Sequence, residues 1–129
     1  MREILRQGLP AMGVSEACME PLLSFADLLL KKNEVMNLTA ITDPKDVAAL
    51  HLLDSLTLLA AADFANKRLI DVGTGAGFPG LPIAIACPDC QVTLLDSLGK
   101  RVDFLQEVCA ALSLSNVTCV HARAEEYVQ

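Results

Sequence analysis

Apolar positions along this chain change their period near residue 68. Upstream they recur at helical spacing. Residues 2 to 9 read as a short helix, and a longer one follows Ser15, a plausible N-cap, with Glu16 and Glu20 in the early turns where the helix dipole favours acids. Its stripe is Leu22, Ala26, Leu29 and Leu30, and Lys31-Lys32 closes the last turn; Asn33 to Thr39 then reads as a connector. Asp43-Pro44 places a cap and an N1 proline before a third helix that runs to about Ala62, with Val47, Leu52, Leu56 and Leu59 as its apolar stripe. His51, Asp54 and Ser55, three and four apart, share a face of that helix. Downstream, the short apolar runs Leu69–Val72, Val92–Leu95 and Val117–Val120 alternate with helical segments at Ile83–Ala86 and Gly99–Leu112. Such alternation predicts an α/β fold with a parallel sheet and right-handed crossovers.

This pattern divides the chain into a helical region, 1–66, packed on the first half of a sheet domain, 67–129. Three strands leave an open edge and one uncovered helix face. Together with a mean hydropathy of +0.43, that leads us to expect an N-terminal piece of a larger protein. No apolar run approaches a membrane span, and no basic segment precedes an apolar core at the N-terminus, so the expectation is a cytoplasmic protein without a membrane partner. The net charge of −6 means that any nucleic-acid substrate must be held by a local basic patch or by segments outside this stretch. Five cysteines read as reduced thiols, and Cys87-Pro88-Asp89-Cys90, with no second pair to complete a zinc site, reads as structural; no metal is expected.

The candidate chemistry lies in Asp71-Val72-Gly73-Thr74-Gly75-Ala76-Gly77-Phe78-Pro79-Gly80. It reads as a strand end, a glycine turn and a helix start, at the edge where open α/β sheets bind ligands. Asp96, ending the next strand roughly twenty residues on, stands at the usual distance of a ribose-binding acid. Gly75, Gly77 and Gly80 satisfy the dinucleotide spacing, but Pro79 and Pro82 each remove an N–H that a pyrophosphate would use. A ligand without phosphate loses little by that, which favours S-adenosyl-L-methionine over a nicotinamide dinucleotide. Lys100 and Arg101 oppose the dipole at the start of their helix; they are either a solvated pair or contacts for an anionic substrate.

Asn37-Leu38-Thr39, His51-Leu52-Leu53-Asp54-Ser55, the glycine run, Leu95-Asp96-Ser97-Leu98-Gly99-Lys100-Arg101 and Arg123-Ala124-Glu125-Glu126 stand in the order and spacing of one family. The chain resembles the RsmG/GidB family, bacterial methyltransferases of guanine N7 in 16S ribosomal RNA, over about the first three-fifths of a member. The resemblance implies a Rossmann-like class I S-adenosylmethionine-dependent methyltransferase fold, here incomplete and with an N-terminal helical extension. It implies that Gly73 and Phe78 line the methionine and adenosine pocket, that Gly75 and Gly77 shape the turn, that Asp96 accepts from the ribose hydroxyls, and that Ala124 and Glu125 meet the adenine. It also implies that His51 and Asp54 face the site on the substrate side, and that the partner is 16S ribosomal RNA or the small ribosomal subunit particle. Leu50 and Lys32 depart from the family pattern, standing where members often have a basic residue and tryptophan.

Guanine N7 offers a lone pair and loses no proton on attack, so no catalytic acid or base is expected; proximity and orientation suffice. The rival readings are a nicotinamide-dinucleotide-binding oxidoreductase and a non-catalytic cofactor-binding module.

Overall fold

In the computed structural model, which describes residues 1–127, the helical pattern of the first half forms a layer on one side of a three-stranded sheet. Helix α1 (Arg2–Ala11) leads through a 3-10 turn (Glu16–Cys18) to α2 (Met19–Met36). Ser15 caps the turn, its hydroxyl oxygen accepting the Ala17 N–H at 3.1 Å. Helix α2 does not stop at Lys31-Lys32 but continues through what the sequence marks as connector. Buried Leu29 and Asn33 extend its inner stripe by one more turn, and Asn37 ends it in the left-handed region, φ 52°, a conformation asparagine tolerates. Lys32 lies 3.3 Å from the Glu107 carboxylate, tying α2 to the last long helix.

The segment expected as one α-helix to Ala62 is instead broken: α3 (Pro44–Asp46), a π-helical stretch (Val47–Leu53), α4 (Asp54–Leu56) and α5 (Leu58–Ala61). Asp43 caps it as expected, accepting the Lys45 N–H at 2.8 Å. Val47, Ala48, Leu52 and Leu56 are all fully buried, so the inner stripe contains both the four-residue spacing of an α turn and the five-residue spacing of a π turn. On the same stretch, Leu53 faces Gly8 of α1 so closely that a Cβ there would lie 2.5 Å from Leu53 Cδ1.

Strands β1 (Arg68–Val72), β2 (Gln91–Asp96) and β3 (Val117–His121) are parallel, in the order β1-β2-β3, with α6 (Gly80–Ala86) and α7 (Gly99–Ala111) as crossovers and a last turn, α8 (Ala124–Tyr127). One hydrophobic cluster runs from Leu5 and Leu9 of α1 through Phe25 of α2 and Leu52 and Leu56 to Leu94, Phe104 and Val108. Strands added in one direction by right-handed crossovers put both crossover helices on one face of the sheet. That leaves apolar surface bare on the other face of the sheet, where Ile70 and Val72 of edge strand β1 are 47% and 53% exposed, in addition to Val35, Leu50 and Leu58 on the helices. Positions 128 and 129 of the second region lie outside the described residues.

Candidate functional site

The carboxyl ends of all three strands and the turn after β1 enclose a hollow of about 390 Å³, lined by Gly73, Asp96, Ser97, Arg123, Ala124 and Glu125 among others. Gly73 and Gly75 have φ of +67° and +61°, and a Cβ on either would meet no atom within 4 Å. Their backbone thus faces open space in a conformation that disfavours a side chain. Gly77 is different. A Cβ there would lie 2.5 Å from Leu81 Cδ1 and 3.1 Å from Leu105 Cδ2, so its small size serves the packing of the turn onto α6 and α7.

Most of the turn's donors are already used; the Ala76 N–H has no partner among the described residues. Gly73 and Thr74 N–H both donate to Leu95 O, at 2.8 and 3.1 Å, and Gly77 and Phe78 N–H to Thr74 O. Gly75 N–H donates to Asp96 Oδ2 at 2.9 Å and Gly80 N–H to Asp71 Oδ2 at 2.9 Å. Pro79 has no N–H to give. A pyrophosphate would find no cradle of free amides here, a stronger objection to a dinucleotide than the prolines alone supply.

Asp96 is 3% exposed. Beyond Gly75, its Oδ1 accepts the Leu98 N–H at 2.9 Å, and Arg101 Nη1 stands 3.7 Å from Oδ2. Two backbone bonds leave roughly half of a carboxylate's four acceptor positions unfilled. Arg101 thus reaches toward the acid, and with exposed Lys100 it also lines a separate hollow of about 410 Å³ beside Val35, Met36 and Leu98. Asp71 organises the turn, its Oδ2 also accepting from Thr74 Oγ1 at 2.6 Å. Burial pushes the Asp71 carboxyl above its ordinary value, the Thr74 and Gly80 hydrogen bonds oppose this, and Asp96 adds to it.

Phe78 does not line the Asp96 hollow. It stacks on the His51 ring, with centroids 4.3 Å apart and planes 9° from parallel, and tilts against Phe25 at 5.2 Å. His51, Asp54, Ser55, Phe78 and Pro79 line a second hollow of about 350 Å³. The sequence placed His51, Asp54 and Ser55 together, and they are together, His51 in the π stretch and the other two in α4; Ser55 Oγ donates to His51 O at 2.6 Å. Burial pushes the His51 pKa down, partly offset by Asp54. The sequence reading missed Thr39 as a partner of His51: Thr39 Oγ1 lies 2.8 Å from Nε2. The one hint was Thr39 itself, closing Asn37-Leu38-Thr39. Cys87 and Cys90 are free, and among the described residues no three His, Cys, Asp or Glu side chains gather as metal ligands. No described helix is long and apolar enough to cross a membrane.

A parallel sheet with one-sided crossovers, a glycine turn most of whose amides are internally bonded, and a buried acid ending the second strand define a Rossmann-like domain of the methyltransferase type. The precorrin-6y C5,15-methyltransferase of Geobacter metallireducens GS-15 shares this fold with a TM-score of 0.50 at 20% identity, over 68% of this chain and 43% of that one. The chain belongs to the rRNA small subunit methyltransferase G family, whose model matches residues 18–129. It is 46% identical to the ribosomal RNA small subunit methyltransferase G of Alkaliphilus oremlandii, over 100% of this chain and 55% of the relative. It is 50% identical to that of Idiomarina loihiensis, over 88% and 54%. The chain spans about half the length of the curated relatives it matches.

Proposed function

We propose that this chain forms the S-adenosyl-L-methionine-binding part of a methyltransferase acting on guanine N7 of 16S ribosomal RNA, presented as free RNA or in the small-subunit particle. The observation that carries the reading is the Asp96 hollow: open backbone at Gly73 and Gly75, a buried acid, and no free amide cradle for phosphate. When bound, the cofactor supplies an electrophilic methyl group to the guanine lone pair. Asp96 accepts from the ribose diol, held by Gly75 and Leu98 so that its carboxylate needs no reorganisation on binding. Ala124 and Glu125, which line the hollow, meet the adenine. Gly73 allows close backbone approach to the methionine end, and Phe78 lines the second hollow beside His51. His51 and Asp54 face the target base. No side chain needs to take a proton, because N7 carries none, so the role of these residues is to bind and align.

The test is transfer of a radiolabelled methyl group to small-subunit particles that lack the modification. It uses a protein of the relatives' full length containing these 129 residues, with the shorter chain alongside. Label at a guanine N7 from the longer protein, and none from the shorter, is the expected result. Label at another base, or none from either, overturns the reading.

A further inference from the structure

Between the helical layer and the glycine turn runs a chain of contacts that the cofactor hollow does not use. Asn33, 8% exposed, accepts the Thr39 N–H on Oδ1 at 2.8 Å, which fixes the backbone of Thr39. The Thr39 hydroxyl oxygen accepts the Ile41 N–H at 3.1 Å and lies 2.8 Å from His51 Nε2. The imidazole in turn lies flat on Phe78, the residue that leaves the glycine turn.

A hydroxyl has one hydrogen to donate and two lone pairs to offer. One lone pair of Thr39 is taken by Ile41, and among the described residues the only acceptor within reach of its hydrogen is His51 Nε2. The arrangement is fully used when Thr39 donates and Nε2 accepts, which puts the ring proton on Nδ1. Nδ1 has no hydrogen-bond partner among the described residues, and no buried side-chain nitrogen or oxygen is left without one. Nδ1 is therefore reached from outside, on a residue that lines the 350 Å³ hollow. Burial, which disfavours the charged ring, is consistent with a neutral imidazole.

We propose that Thr39 is a positioning residue that holds His51 as the neutral Nδ1–H tautomer, so that the ring presents a single fixed hydrogen-bond donor to a carbonyl oxygen of the ligand in that hollow. Given the guanine reading above, on which the choice of ligand rests, the acceptor is O6, the atom beside N7 on the same base edge. Adenine carries an amino group there and would set donor against donor. The donor thus contributes to choosing guanine.

The chain has two histidines, and the second is an internal control. His121 Nε2 lies 3.0 Å from the Ser97 carbonyl oxygen, which can only accept, so that ring carries its proton on Nε2. Ring-nitrogen NMR of the 129-residue chain at neutral pH should show opposite tautomers: Nδ1–H at His51 and Nε2–H at His121. In Thr39→Val the His51 preference is lost while His121 is unchanged, and Thr39→Ser restores it, with a thermal melt of each variant confirming a folded chain. An Nε2–H tautomer at His51, or an unchanged His51 tautomer in folded Thr39→Val, overturns the role of Thr39. In a second arm, guanosine monophosphate shifts the His51 Nδ1–H resonance, and the 2-aminopurine nucleotide, which lacks O6, does not. Equal responses overturn the assignment of the acceptor. Failure of the methyltransferase reading would show separately, as no response of the Asp96 hollow to S-adenosylhomocysteine, and would leave the tautomer result standing.

Discussion

At the scale of single residues, the glycines separate into two kinds, and substitutions should show it. Alanine at Gly73 or Gly75 meets no neighbour but is forced into the left-handed region, at a cost of about 1–2 kcal/mol. Cofactor affinity should fall in both, because the added Cβ projects into open space where a ligand approaches. Alanine at Gly77 collides with Leu81 and Leu105, so its loss should appear in the melting temperature before it appears in binding. Parallel melts and titrations of the three variants check this; equal stability losses without any binding difference would contradict the division.

Asp71 gives a pH signature of its own. Its folded pKa is raised, mainly by burial. Between the ordinary carboxylate value and the raised one, the folded state holds a proton that the unfolded state has lost. Its contribution to stability therefore falls as pH rises through that window and is level above it. Denaturant midpoints across mildly acidic pH should show this downward trend, and Asp71→Asn should flatten it. An identical trend in the asparagine variant would assign it to another group.

At the scale of elements, Asn116 carries a contact that the sequence does not advertise. Its Nδ2 group lies within hydrogen-bond distance of Ala84 O, Cys87 O and Cys90 O, at 3.1, 3.3 and 2.9 Å, and the residue is 7% exposed. This one side chain pins the end of α6 and the Cys-Pro-Asp-Cys loop to the start of β3, which gives that loop a structural role. Asn116→Ala should cost about 1–3 kcal/mol, the penalty for leaving buried carbonyls unpaired, and chemical denaturation would measure it. A change within error would mean that water replaces the amide without loss.

Strands, crossovers and the glycine turn were legible because a change of hydrophobic period, β-branched runs and positive-φ glycines are local signals. The π turn at Val47–Leu53 was not, since an α pattern and a π pattern share most of their buried positions. The overrun of α2 to Met36 was missed because Asn33 looks polar in sequence, yet its amide is consumed by Thr39 inside the fold. In the site, Asp96 and Glu125 were reachable from spacing and resemblance. That Phe78 belongs with His51, and Arg101 with Asp96, depends on side-chain directions that no spacing rule carries.

At the scale of the whole molecule, the bare sheet face at Ile70 and Val72 is next to the unpaired edge of β1, the combination that favours edge-to-edge association. Sedimentation should show self-association of the 129-residue chain that weakens in the Ile70→Thr, Val72→Lys double variant. Association unaffected by these changes would locate the sticky surface elsewhere. The charge of −6 gives no general attraction to phosphate, so binding of this stretch to ribosomal RNA should be weak at physiological salt.

The central claim, that the Asp96 hollow takes S-adenosylmethionine or its demethylated product, is tested most directly by amide NMR titration of the chain with S-adenosylhomocysteine. Shifts should concentrate at Gly73, Gly75, Ser97, Ala124 and Glu125. Asp96→Ala should weaken the response by about tenfold or more, as expected when a buried polar partner is lost. NAD should produce no comparable pattern. Shifts scattered away from these residues, an unchanged response in Asp96→Ala, or a stronger response to NAD would contradict the account.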